Sequence, residues 1–220
     1  LGGQRREMTV YFSDIAGFTS ISERLDAPTL VRFLQMYLEQ MTDRLLEQGG
    51  TLDKYEGDAI IAFFNGLVAM PDHAARCLRS ALAHLRALPR IDQSLQEAGL
   101  LPEGTHLRAR IGISSGFMNV GNFGSSRRFD YTVIGDSVNV GARLEGANRF
   151  FGTTVLMSAR TRELAIEFPS SAPATTGGDG EFLFRRIGPV RFVGKAEAID
   201  VYELLDPDIP GARNGLDLYN

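Results

Sequence analysis

"TLDKYEGDAIIAFF", residues 51–64, places two short extended runs on either side of Glu56-Gly57-Asp58. The runs are rich in Thr, Tyr, Ile and Phe, residue types that fit a pleated, half-buried surface. Glycine between them relieves the backbone strain of a tight turn, so the stretch predicts a β-hairpin with Asp58 at its tip. A turn this short joins antiparallel neighbours, whereas parallel strands need a crossover of a dozen or more residues. The hairpin therefore weighs toward an antiparallel sheet.

Outward from the hairpin, residues 8–13 ("MTVYFS") read as a first strand, and Ser20 with Glu23 three positions later is a capping-box pattern that opens a helical region. From Pro28 to about Glu47, apolar residues recur at helical spacing (Leu30, Phe33, Leu34, Tyr37, Leu38, Met41, Leu45), and Gly49 and Gly50 end the run. Residues 71–98 predict a second helix, with Pro71 at its start, Gly99 after its end and Pro89 breaking or kinking it. "LRARIGISSG" and "FMNVGNFG" read as a strand pair. A short strand then runs through Ile134, and after Gly135 comes a helix capped by Asp136 or Ser137. The tail predicts a strand near Val155, a helix over 159–166, a polar loop "SSAPATTGGDG" and strands around 182–193 and 198–205. There is no internal repeat and no linker. The expectation is one α+β domain over 1–220, with a largely antiparallel sheet and a core at about 7–205.

Of the 220 residues, 44% are hydrophobic and 23% charged, ordinary values for a globular domain. The formal net charge of -4 offers no global basic field and argues against a protein that coats nucleic acid. The single cysteine, Cys77, lies in a helical run and reads as a small buried apolar residue in a reducing compartment. No apolar run approaches the roughly 20 residues needed to cross a bilayer, and "LGGQRREM" has no signal-peptide core. A start without Met predicts a domain cut from a longer chain; the domain itself is expected to be cytoplasmic, with any membrane contact made through segments outside these residues.

"YFSDIAGFTS", residues 11–20, ends its strand on Asp14 and follows it with a small turn through Ala16 and Gly17. Neighbouring strands would bring Asp14 and Asp58 to one edge. Two carboxylates there repel unless a divalent cation lies between them, and Mg²⁺ or Mn²⁺ is held in this way with substrate phosphates completing the shell. Taken alone, both acids are also consistent with ordinary solvated turns. The turn at Gly17 exposes backbone N–H groups suited to an anion, and an ordinary strand-to-helix connection with Phe18 as a core plug fits the same stretch equally.

"FSDIAGFTS", "KYEGDAIIAFF" and "DYTVIGDSVNVGARLEGAN" together resemble, in order, the three signature segments of the class III nucleotidyl cyclase catalytic domain, over about Glu7 to Leu205. The resemblance implies a ferredoxin-like βαββαβ core with additional strands and helices. It also implies an activity: cyclisation of a nucleoside triphosphate to the 3',5'-cyclic monophosphate with release of pyrophosphate. Asp14 and Asp58 would bind two divalent cations, Mg²⁺ or Mn²⁺, with the Ile15 carbonyl as a further ligand. Gly17, Phe18 and Thr19 would line the phosphates.

The same resemblance assigns Lys54 and Thr132 to the purine. Adenine presents an acceptor at N1 and a donor amine at N6, while guanine presents donors at N1 and N2, so a lysine suits ATP. Thr132 can accept from N6 but can also donate, and the pair implies a preference of roughly tens to hundreds of fold. Without the motif, Lys54 reads as a solvated strand lysine. Asn139 and Arg143, four apart, share one helix face while Val140 and Leu144 pack elsewhere. The resemblance makes Asn139 the residue that orients the ribose and Arg143 the stabiliser of the transferring phosphoryl. A surface ion pair is the alternative for Arg143. Lys195 in "FVGKAEAIDVYEL" matches a lysine on the terminal phosphates, and a solvent-facing turn lysine is the other reading. His73, His84 and His106 fall outside the motifs and read as core or surface residues.

In the resembled family, the metal acids and the base-reading residues of one site come from different subunits. A head-to-tail homodimer with two equivalent sites follows, with "GNFGSSRRFDYTV" as a hairpin arm and Arg127 and Arg128 near phosphate. The competing functions are a guanylate or loosely selective purine cyclase and a catalytically silent ATP-sensing module. A diguanylate cyclase would need a Gly-Gly-acid-Glu-Phe turn where this chain has Glu-Gly-Asp.

Overall fold

β1 (Gln4–Ile15) is buried on both faces, and its two sets of side chains serve two different layers. In the computed structural model, which describes residues 3–125, 127–169 and 182–208, Tyr11 and Ile15 join one core with α2 (Ala27–Glu47) and α3 (His73–Glu97). Met8, Val10 and Phe12 face the other way, among Phe63, Met118, Val120 and Val133. This is the period-two alternation of a strand, and it assigns Asp14 to the second face.

The 51–64 hairpin forms as expected: β2 (Thr51–Glu56) and β3 (Ala59–Phe64) pair antiparallel, and Glu56↔Ala59 closes a loop of Gly57, at φ 66°, and Asp58. With β4 (Ala109–Gly124), these strands lie in the order β2-β3-β1-β4, every pair antiparallel. Strand, helix, hairpin, helix and strand in that order are the expected ferredoxin-like core. The sheet continues through β6 (Val155–Ser158), β8 (Ile199–Leu205) and β7 (Leu183–Val190), with β4–β6 the parallel contact. α5 (Ala159–Glu167) joins the α2 and α3 layer, through Leu164 and Ala165.

α4 (Asp136–Phe151) covers the opposite face, packing Val140, Leu144 and Ala147 on Leu156 and Val201. Its approach depends on two glycines. A Cβ built on Gly112 of β4 would stand 2.2 Å from the Glu145 nitrogen and 2.3 Å from the Gly141 carbonyl oxygen; one on Gly141 would press on Phe12 and Val10. Backbone lies on backbone there.

Several expectations are corrected. The 107–124 stretch is one strand, not a pair: β1 satisfies β4 from Ile15↔Ala109 to Gln4↔Val120, so Gly116 need not turn the chain. The hairpin arm expected at "GNFGSSRRFDYTV" does form, between β4 and β5 (Phe129–Ile134), with Arg127 and Arg128 exposed at its turn. α1 (Phe18–Ser22) starts at Gly17, φ 77°, with no side-chain cap; Ser20 lies inside it, so the Ser20–Glu23 capping box does not form. The longer helix, α2, is capped by Asp26, whose carboxylate accepts from the Thr29 amide at 2.8 Å. α3 runs through Pro89 unbroken, because Leu88, Ile91 and Leu95 on either side of the proline's exposed face are buried in the core. The α4 cap position belongs to Gly135; Asp136 is drawn instead to Lys195, and Ser137 sits in the first turn. The polar loop at 170–180 lies outside the described residues.

Cys77 is fully buried and its thiol is pushed up by burial. His73 and His84 are buried, and burial lowers both to about 4; His106 is exposed. Among the described residues, no helix is long and apolar enough to cross a membrane.

Candidate active site

Asp14 is one residue from the end of β1 and Asp58 is at the β2–β3 tip, and the fold closes them onto each other: Asp58 Oδ2 accepts a hydrogen bond from the Ile15 amide at 2.8 Å. Asp14 lies opposite Arg110 in the β1–β4 register, and Arg110 forms a two-pronged pair with it, Nε to Oδ1 at 2.9 Å and Nη2 to Oδ2. Arg110 Nε is also 3.2 Å from Glu145 Oε1, brought down by the close seating of α4. Burial raises the Asp58 carboxyl, Asp14 adds to that, and the Ile15 N–H opposes it. Glu145 is pushed up to about 8, by burial first and by Asp14 second. Three carboxyls thus converge around one guanidinium, an arrangement that favours an added positive charge.

Asp14 and Asp58 present only oxygen donors at this edge, and the Ile15 carbonyl would add another. Among the described residues, no group of three or more acids, histidines or cysteines is arranged to hold a metal. A hard cation bound here would need phosphate or water oxygens for the rest of its shell, which is how Mg²⁺ is commonly held. The donor set fits. Beside the acids opens a cleft of about 890 Å³, lined by Gly17, Phe18, Thr19, Arg108 and Arg149 as well as by Asp14 and Asp58. Phe18 has a second duty, stacking on Phe33 with ring centroids 6.4 Å apart.

Lys54 and Thr132 form a separate group. β5 folds back over the sheet, with Tyr131 packed at 6.1 Å from Phe63, and Thr132 Oγ1 donates to Asp53 Oδ2 at 2.9 Å. Lys54 Nζ lies 3.8 Å from the same oxygen. A third group sits on α4. Arg143 lies against Gly194, whose neighbour Lys195 pairs with Asp136; Arg143 Nη1 is buried without a hydrogen-bond partner among the described residues. At 3.6 residues per turn, Arg143 is about 160° round the helix from Glu145. Asn139 shares the Arg143 side and is exposed. The helix therefore shows Glu145 to this chain's own acids and turns Arg143 away from them.

Sequence reasoning missed Arg110, Glu145 and Asp53. A charged residue alternating with the apolar positions of "LRARIGI" could have marked Arg110 as facing Asp14. Glu145 needs the α4 contact and Asp53 needs the strand irregularity described below, and neither has a local signal.

Residues 3–201 match the adenylate and guanylate cyclase catalytic domain. Adenylate cyclase 1 of Rhizobium meliloti (strain 1021) is 34% identical over 201 residues, covering 91% of this chain but 28% of the relative, so the chain spans little more than a quarter of that protein. The crystal structure of the adenylyl cyclase CyaB from P. aeruginosa superposes with a TM-score of 0.80 at 31% identity, covering 94% of this chain and 97% of that one. The guanylyl cyclase Cya2 follows at 0.76 and 29%, covering 96% and 98%. The matched residues include both acids, the hairpin that carries Asp58 and α4, so this chain belongs to the adenylate and guanylate cyclase catalytic domain family.

Proposed function

We propose that the chain is an adenylate cyclase, converting ATP to 3',5'-cyclic AMP and pyrophosphate at the interface of a homodimer. The observation that carries the reading is the hydrogen bond from the Ile15 amide to Asp58, which holds two acids together on the wall of a cleft of about 890 Å³. Divalent cations on Asp14, Asp58 and the Ile15 carbonyl would lower the pKa of the ribose 3'-hydroxyl and neutralise the leaving pyrophosphate. In the reaction the 3'-oxygen bonds to the α-phosphorus, its proton is released, and the bond from that phosphorus to the bridging oxygen of the β-phosphate breaks.

The remaining roles belong to the protein. The Gly17–Thr19 turn cradles phosphate. Arg143, with an unspent buried donor, meets the charge that grows on the transferring phosphoryl, and donors of this kind are worth about a hundredfold or more in rate. Asn139 orients the ribose, Lys195 the terminal phosphates, and Lys54 donates to adenine N1. Because α4 turns Arg143 away from Asp14 and Asp58, one chain's acids would work with the α4 face of a second chain. The likeness to the guanylyl cyclase Cya2 supports a second reading, a guanylate or loosely selective purine cyclase.

The test is initial-rate measurement with Mn²⁺ and either ATP or GTP, on Asp58→Ala, Arg143→Ala and their mixture. The two-chain site requires each variant alone to be silent and the mixture to recover. A mixture as inactive as its parts would mean that each site is built within one chain, and a rate faster with GTP would replace the adenylate assignment.

A further inference from the structure

β2 carries one residue too many. Its register with β3 runs Thr51↔Phe63 and Leu52↔Ala62, then resumes at Lys54↔Ile61, leaving Asp53 unpaired in a β-bulge. Successive side chains of a regular strand point to opposite faces, and a bulge re-aims them. Here Asp53 and Lys54 point the same way, with Lys54 Nζ 3.8 Å from Asp53 Oδ2. That oxygen also receives the Thr132 hydroxyl at 2.9 Å. The Asp53 side chain is only 5% exposed, and its Oδ1 is buried with no hydrogen-bond partner among the described residues.

A threonine hydroxyl has one hydrogen to give and two lone pairs with which to receive. An ionised carboxylate can only accept, so a hydroxyl bonded to one has its hydrogen committed and shows lone pairs to anything else. We infer that Asp53 sets the purine choice: by fixing the Thr132 hydroxyl as an acceptor, it lets Thr132 receive the 6-amine of adenine and oppose the 6-oxygen of guanine. The inference rests on the adenylate cyclase reading above. Without Asp53, the hydroxyl would rotate and serve either base. The unpartnered Oδ1 acts in the same sense, adding negative charge next to the Thr132 hydroxyl. Asp53 is a positioning residue, acting on the base through Thr132.

The experiment measures kcat/KM for ATP and GTP with Mn²⁺ in the wild type, in Asp53→Ala and in Asp53→Asn, which preserves volume. The same Asp53→Ala change is then made in a Thr132→Val background. Loss of one oriented hydrogen bond should lower the ATP-to-GTP ratio about tenfold in Asp53→Ala and less, in the same direction, in Asp53→Asn, whose amide can donate as well as accept. In the Thr132→Val background, the Asp53 change should leave the ratio where it was. Purine riboside triphosphate, which lacks the 6-amine, should stay at a disadvantage against ATP in Asp53→Ala, because the freed hydroxyl still accepts the amine, so that the fall in ratio comes from GTP alone. A purely structural role would depress both nucleotides alike and keep the ratio. An unaltered ratio in folded Asp53→Asn and Asp53→Ala, or an equal fall in the Thr132→Val background, overturns the inference and leaves the adenylate reading standing. A wild type with no preference for ATP overturns that reading and the inference with it.

Discussion

Replacing Gly112 with alanine tests whether the seating of α4 on β4 organises the site. The added Cβ would stand 2.2 Å from the Glu145 nitrogen, 2.3 Å from the Gly141 oxygen and 2.8 Å from the Glu145 Cα, where ordinary contact begins at 3.4 Å. All three obstacles are backbone, so no side-chain rotation relieves the clash, and α4 must retreat by about 1 Å. A gap of that size forfeits a quarter to a half of the dispersion energy along the interface. Overpacking typically costs about 1–3 kcal/mol, and with backbone on both sides Gly112→Ala belongs at the top, about 3 kcal/mol. The retreat also draws Glu145 off Arg110 and Asp14, so activity should fall with stability. Urea unfolding of the purified protein reads the first effect, with Gly146→Ala as the control. No atom outside the helix's own backbone lies within 4 Å of a Cβ there, and a helical glycine replaced by alanine should gain up to about 1 kcal/mol. A Gly112→Ala protein within 1 kcal/mol of wild type would refute the argument that the close approach is required.

Other expectations follow from the same structure. His73 and His84 titrate near 4 in the fold against an ordinary 6.5, so below pH 6.5 the unfolded chain binds protons that the native state refuses. Stability should therefore drop between pH 6.5 and 4 by about 3 kcal/mol per histidine. Glu145 acts in the opposite sense, so the quantity to measure is the difference between wild type and His84→Gln; identical pH profiles would contradict a neutral buried His84. Arg110→Met removes the countercharge from Asp14, Asp58 and Glu145. It should cost about 2 kcal/mol in EDTA, with part restored by millimolar Mn²⁺, as thermal or urea unfolding with and without the ion would detect. Pro89→Ala restores a backbone donor inside α3 and should raise the urea midpoint by an amount equivalent to about 1–2 kcal/mol; a lowered midpoint would mean that the proline is part of the packing.

The hairpin at 51–64 and the acid after "YFS" were legible because each depends on local chemistry, a glycine that must turn and a carboxylate where an apolar strand ends. The α2 helix was legible from its spacing alone. What escaped was set by partners distant in sequence. "ISSGFM" looks like a turn until β1 pairs with it along its whole length, and only then does Gly116 become a strand residue. Ser20 and Glu23 have the spacing of a cap, but Gly17 had already begun the helix. Glu145 enters the candidate site only because two glycines in different elements let a helix sink onto the sheet, and Asp53 because a strand gains a residue whose displacement its own sequence does not announce.

α4 offers one flank to the carboxyls of its own chain and the other to whatever lies outside. If the site is shared between two chains as proposed, dilution would itself be an off switch, since a solitary polypeptide would own two incomplete halves. While encounters were scarce, output would climb as the square of abundance, and it would become proportional once every copy was paired. Modest changes in abundance would thereby be converted into steep changes in product without any strand or helix altering its shape.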